Sequence, residues 1–210
     1  MAIALRHPIT AKVDDEASFL RCLLEEYPAF LNSWECQKKD EFAEIAKDNS
    51  EGERDIETTI YHSLSSVFDE DASKKNIFYQ SVFIMCFSYY ESCITLLSKK
   101  VHAKGSVDSI CKAKKIHLSE ESSNASGYLK NYMRILRNNI CHNNFGTYHN
   151  EDTLEEIAKQ YSGFDFDSKT IYITDSYVVT DALNKMHHVL RELCEKLDYN
   201  TRFLTKSKTL

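Results

Sequence analysis

With 210 residues, the chain is long enough for one domain with a sizeable core, and 42% hydrophobic with 28% charged residues is an ordinary globular composition. Five glycines and two prolines leave little material for the tight turns of a β-sandwich or barrel, so the composition favours a mostly helical protein. The net charge of −6 excludes a protein that is basic throughout, but it does not exclude a polyanionic partner for one face.

Residues 1–72 are predicted to form acidic helices, because they carry 17 acidic and 7 basic side chains. A first helix is favoured by acidic residues at 14–16, where its first turn would lie, and by apolar residues at helical spacing up to Pro28. A second helix is predicted from about Phe30 to Lys47. A third ends in an acidic run at 69–71 and has apolar residues at steps of three and four: Ile56, Ile60, Leu64 and Val67.

The longest predicted helix starts with Ser73 as its N-cap and stops at Gly105. It is apolar on most sides, which indicates the central helix of a bundle. Polar residues, among them Glu91, interrupt its apolar run over 77–97, so we expect a core helix rather than a membrane span. An unpaired carboxylate in such a helix would be costly, so Glu91 is expected to have a donor partner.

The middle third of the chain, residues 73–150, is basic, with 11 basic and 4 acidic side chains. It includes a short helix predicted from Val107 to about Lys115 and a serine-rich loop predicted over 119–126. Its lysines can serve either as a polyanion-binding face or as an ordinary solvated face, and both interpretations remain open: Lys99, Lys100, Lys112, Lys114 and Lys115.

A further helix, predicted to begin near Ser126, carries the most informative residues of the chain. Arg137 and His142 stand near its end, although chance alone supplies roughly one such Arg–His pair in this composition. Arg137 falls roughly 80° from the apolar stripe and His142 about 140° beyond Arg137. The two side chains can converge only if the helix loosens after Ile140 or if a second copy faces the first. The stripe that fixes the core-facing side is Leu129, Tyr132, Met133, Leu136 and Ile140.

The C-terminal part is predicted to contain a short helix near 153–161, a small β-hairpin, and a last amphipathic helix capped by Asp175 or Ser176. The hairpin pairs Phe164 and Phe166 with Ile171 and Ile173. We therefore expect an all-α bundle with one small hairpin before the last helix, in a single domain over 1–210. Its core is expected over 73–198, with a flexible tail over 199–210.

Seven cysteines without a regular framework, and a first segment that does not resemble a leader, favour a cytoplasmic protein with buried thiols. The chain has no C-x-x-C and no H-x-x-x-H pattern, so no metal site and no cofactor are expected.

The combination of a helical bundle with Arg137, a polar Asn138, three more residues and then His142 resembles the HEPN superfamily (higher eukaryotes and prokaryotes nucleotide-binding domain). The preceding helix, with its segment Phe-Ser-Tyr-Tyr-Glu-Ser at 87–92, is similar to the other long core helix of that family, which often carries an acidic residue at a similar place. The late hairpin and last helix resemble stand-alone prokaryotic toxin or phage-defence members. The resemblance spans about residues 73–197.

The resemblance implies a metal-independent endoribonuclease with Arg137 and His142 as catalytic residues and Asn138 at the polar position. It also implies a homodimer whose two motifs face each other across a cleft, a role as a toxin or anti-phage effector, and a possible antitoxin or other regulatory protein as partner. Some family members carry a tyrosine two residues after the histidine, where this chain has Asn144. Regulation by modification of that tyrosine is therefore not expected.

The chemistry of the residues agrees with that implication. RNA can be cleaved by its own 2′-hydroxyl, so an enzyme needs only to move protons and to stabilise charge on the phosphoryl oxygens. An imidazole suits the first task, and the planar, permanently charged guanidinium of Arg137 suits the second. Asn138 can hold the scissile phosphate or orient His142.

Other interpretations of these residues remain open. Glu91 can orient Arg137 or His142, or can pair with Arg134 or a backbone amide. Tyr148 and His149 can contact a base, or can be ordinary loop residues. The alternative function is a non-catalytic helical module that binds RNA, a nucleotide or a partner protein such as a nucleotidyltransferase.

Overall fold

A computed structural model describes residues 3–68, 71–142, 150–167, 170–199 and 201–204. Its fold class is the predicted one: an all-α bundle with a two-stranded hairpin before the last helix. The helices are α1 (Pro8–Asn49), α2 (Arg54–Phe68), α3 (Asp71–Val101), α4 (Val107–Lys114), α5 (Glu120–Tyr128), α6 (Arg134–His142), α7 (Glu151–Gln160) and α8 (Tyr177–Lys196). The strands are β1 (Ile3–Arg6), β2 (Phe164–Phe166), β3 (Ile171–Ile173) and β4 (Thr201–Leu204).

The N-terminal region forms one helix of 42 residues where the sequence predicts two. The prediction of a break at Pro28 is wrong, because the helix passes through this proline. Proline removes one helical hydrogen bond and costs about 3 kcal/mol. Packing on both sides offsets that cost: Leu24 and Leu31 are buried, and the Tyr27 ring stacks on Phe78 of α3 with 3.8 Å between centroids.

Helix α3 packs against α1 and α8, which confirms its central position. It begins at Asp71, so Ser73 lies inside the helix rather than at its cap, and at 31 residues it is shorter than α1. By length and composition, the segment Lys74–Val101 is apolar enough to cross a membrane, but half of its apolar window is buried within the bundle, as in the core helix of a soluble protein.

The helix that carries the Arg–His motif starts earlier than the sequence predicts. The expected serine-rich loop is instead α5, and Ser119 caps it by accepting a hydrogen bond from the Ser122 amide at 3.2 Å. A π-helical turn, Leu129–Met133, joins α5 to α6 without a break. The predicted stripe faces the core, with Leu129, Met133 and Leu136 buried. Helical structure continues through residue 142, so the expected loosening after Ile140 is absent from this described part of the chain.

The hairpin prediction is confirmed: β2 and β3 pair antiparallel, with Phe164 opposite Ile173. Two side chains of α3 fasten the hairpin to the bundle, because Asn76 Oδ1 accepts from the Ile173 amide at 2.8 Å and Gln80 Nε2 donates to the Ile171 carbonyl at 2.6 Å. Helix α8 follows. Its first turn is capped by Asp175, which accepts from the Tyr177 amide at 2.8 Å.

A second antiparallel pair, β1 with β4, is not predicted by the sequence. Residues 201–204, expected to belong to a flexible tail, form β4. The seven cysteines are all free. Cys86, Cys93 and Cys194 are buried as expected, whereas the expectation is wrong for Cys22 and Cys36, which are exposed on α1.

Candidate functional site on helix α6

Helix α6 places Arg137 against α3, where three groups hold its guanidinium. Its Nη2 lies 2.5 Å from Glu91 Oε1, and its Nη1 donates to Asn138 Oδ1 at 3.0 Å. The guanidinium carbon also lies 5.9 Å from the centroid of the Phe87 ring, within cation–π range. The side chain is only 23% exposed, so these contacts fix the direction in which its remaining N–H groups point.

The donor partner expected for Glu91 is Arg137, which selects one of the alternatives left open by the sequence. Glu91 itself is 52% exposed, so it lies on the rim of α3 rather than in the buried middle. Phe87 stands four residues earlier on the same helical face as Glu91. The sequence does not single out Phe87 as part of the site, although this spacing could have indicated it.

His142 lies at the last residue of α6 and is exposed. It stands five helical positions after Arg137, a rise of about 7.5 Å and a turn of about 140°. The two side chains therefore point in different directions within one chain. Asn138 hydrogen-bonds to Arg137. The structure describes no contact of Asn138 with His142, so the expected role of Asn138 in orienting His142 has no support from the described residues. Tyr148 and His149 lie outside the described residues.

The basic residues around α6 remain largely uncompensated. Lys130 pairs with Asp108 at 3.3 Å, but both side chains are well exposed. Arg134 is exposed and has no ion pair with any residue that the structure describes. The same holds, within the described ranges, for six exposed lysines: Lys99, Lys100, Lys104, Lys112, Lys114 and Lys115. These exposed side chains of α3, α4, α6 and the adjoining loops keep positive charge that a polyanion can use.

A groove of about 470 Å³ opens beside Arg137, between α3, α4 and the continuous helix α5–α6. Its lining includes Phe87 and Glu91, the same two side chains that hold the guanidinium. In the part of the chain that the structure describes, no cluster of three or more His, Cys, Asp or Glu residues could hold a metal ion.

Comparison of the chain with family models, with curated proteins and with solved structures finds no match. Any function assigned to this site must therefore be argued from its own residues.

Proposed function

We propose that the protein is a metal-independent endoribonuclease of HEPN type. The observation that carries the proposal is the guanidinium of Arg137, held by Glu91 and Phe87 near the edge of the groove, with His142 exposed on the same helix. A guanidinium whose direction is fixed before substrate binds can stabilise developing charge without reorganising.

The reaction proposed for this site is attack of the 2′-hydroxyl oxygen on the adjacent phosphorus. The bond from the 2′ oxygen to phosphorus forms as the bond from phosphorus to the 5′ oxygen breaks. The imidazole of His142 accepts the 2′-hydroxyl proton, and the departing 5′ oxygen takes a proton from water or from the imidazolium so formed. Arg137 binds the non-bridging oxygens, which carry the extra negative charge. The products are a 2′,3′-cyclic phosphate and a 5′-hydroxyl.

Because α6 stays helical to His142, one chain does not aim both groups at one phosphodiester. The proposal therefore includes a homodimer in which Arg137 of one copy and His142 of the other face the same phosphate. In a two-fold dimer such a composite site occurs twice. A toxin or anti-phage role, restrained by an antitoxin or another regulatory protein, belongs to the same proposal.

The test is cleavage of RNA by purified protein in EDTA, with analysis of the ends produced. His142→Ala and Arg137→Ala are each expected to lose on the order of 10²- to 10⁴-fold in rate. Arg54→Ala and His62→Ala on α2 are the matched controls, because both side chains are exposed and outside the site, and both should cleave like wild type. Cleavage that persists in the α6 variants, or that requires a divalent metal, would reject the proposal.

One observation favours the alternative of a non-catalytic module. The charge of Arg137 is already paired with Glu91, and its side chain does not meet His142 within the chain. A module of this kind would bind RNA, a nucleotide or a partner protein through the exposed basic side chains of α3, α4 and α6. It would leave RNA intact in the same assay and bind it with unchanged affinity in the His142→Ala variant.

A further inference from the structure

The groove beside Arg137 has the size and lining of a small-ligand site. Its volume of about 470 Å³ lies within the range of roughly 300–1,000 Å³ that ligand pockets occupy. Its floor is apolar, because Phe87, Ile94 and Leu129 are buried there. Tyr90, which is half-buried, forms part of the wall and hydrogen-bonds with Ser126.

The groove and the candidate site share two side chains. Phe87 lies under the Arg137 guanidinium, and Glu91 pairs with it, so both are contacted by anything that fills the groove. Arg134 also lines the groove, one helical turn before Arg137 and on the same side of α6. A ligand in the groove would thus contact Arg134 directly and would be separated from the Arg137 guanidinium only by Phe87 and Glu91.

We propose that this groove binds one base of single-stranded RNA, next to the phosphate held by Arg137. The inference rests on the proposed function, from which it takes RNA as the class of ligand. Unstacked bases are bound by aromatic rings and apolar surface, with polar groups at their edges. Tyr90 supplies a ring at the wall and Phe87 adds buried apolar floor, while the hydroxyl groups of Thr95 and Ser126 supply donors and acceptors. Arg134 is placed to contact the phosphate that flanks the bound base.

The test is a binding measurement on the full chain with RNA that cannot be cleaved. Four fluorescein-labelled hexanucleotides, each of a single base and with 2′-O-methyl groups throughout, are titrated by fluorescence anisotropy. Gly105→Phe fills the groove, since Gly105 lines it and a Cβ there meets no atom within 4 Å. Gly127→Phe is the matched control, because its Cβ position is equally open but lies outside this groove.

Stacking of one base contributes about 1–3 kcal/mol, so Gly105→Phe should weaken binding by about tenfold or more, whereas Gly127→Phe should leave it unchanged. Thr95→Trp, at an exposed position of α3, and Arg134→Glu should weaken it as well. Thermal melting of each variant reports folding, and Thr95→Trp decides the question if Gly105→Phe does not fold. The four hexanucleotides are expected to differ in affinity.

Equal binding by wild type and the groove variants, or no binding of any hexanucleotide by wild type, would overturn the inference. The outcome is independent of the cleavage assay. Loss of binding in the groove variants without any cleavage of RNA would reject the ribonuclease and retain the base site. If wild type and Gly105→Phe both cleave RNA and bind the hexanucleotides equally, the base site is rejected and the ribonuclease is retained.

Discussion

Removal of Glu91 separates a positioning role from a stabilising one, because the structure predicts a small effect on folding and the proposed function predicts a large effect on cleavage. The pair it forms with Arg137 joins side chains that are 52% and 23% exposed, and exposed pairs contribute about 0.2–1 kcal/mol. For a chain of this size, a loss of 1 kcal/mol lowers Tm by about 2–4 °C. Glu91→Ala should therefore fold normally.

Its effect on cleavage should be larger, since the Arg137 guanidinium would keep Asn138 and Phe87 but lose the carboxylate that pairs with its Nη2. We expect kcat to fall by about 10- to 100-fold with KM little changed, as a misplaced group of this kind does in other enzymes. Glu91→Gln should recover part of the rate, because its amide oxygen still accepts a hydrogen bond from Nη2. Steady-state kinetics and thermal melting provide the two measurements. A variant that cleaves at the wild-type rate, or that loses more than about 3 kcal/mol of stability as a buried pair would, refutes the reasoning.

Three other predictions concern the bundle. Leu136→Ala removes a fully buried side chain from the motif helix and should cost about 2–5 kcal/mol in urea unfolding, and a loss below 1 kcal/mol would contradict the packing described. Burial lowers the pKa of His187 below its usual value despite its hydrogen bond to Asp14, so stability should fall as pH drops below about 6.5. His187→Gln should remove that pH dependence. If the unfolding free energy of His187→Gln varies with pH as it does in wild type, the prediction is contradicted. A thiol reagent should modify Cys22 faster in a Glu26→Gln variant than in wild type, since a hydrogen bond with Glu26 raises the pKa of Cys22; equal rates would contradict this.

The periodic parts of the fold could be predicted from sequence, because the spacing of their buried apolar residues determines whether they form a helix or a strand. The stripe from Leu129 to Leu136 and the hairpin of Phe164 with Ile173 have the spacing that their burial requires. Local rules failed where tertiary packing outweighs propensity. Pro28 is tolerated because its neighbours Leu24 and Leu31 are buried against the bundle.

The serine-rich segment after Ser119 is predicted as a loop by composition, because serine and asparagine are poor helix formers. It is helical because Ser119 caps it, and because Glu192 of α8 accepts from both the amide and the hydroxyl of Ser119 at 2.7 Å. That partner lies 73 residues away, so no local pattern could indicate it. The sequence likewise named Arg137 and Glu91 but left several partners open for Glu91, because the partners lie on different helices. The spacing of Phe87 from Glu91 could have added Phe87 to the site, but not its place beneath the guanidinium.

The most direct test of the account asks whether Arg137 of one copy acts together with His142 of another. Arg137→Ala and His142→Ala chains with different affinity tags are co-expressed, and the mixed dimer is isolated through both tags. Such a dimer contains one doubly damaged site and one intact site, so it should cleave RNA at about half the wild-type rate. A mixed dimer as inactive as either variant alone, or a failure of the two tags to purify together, would contradict the account.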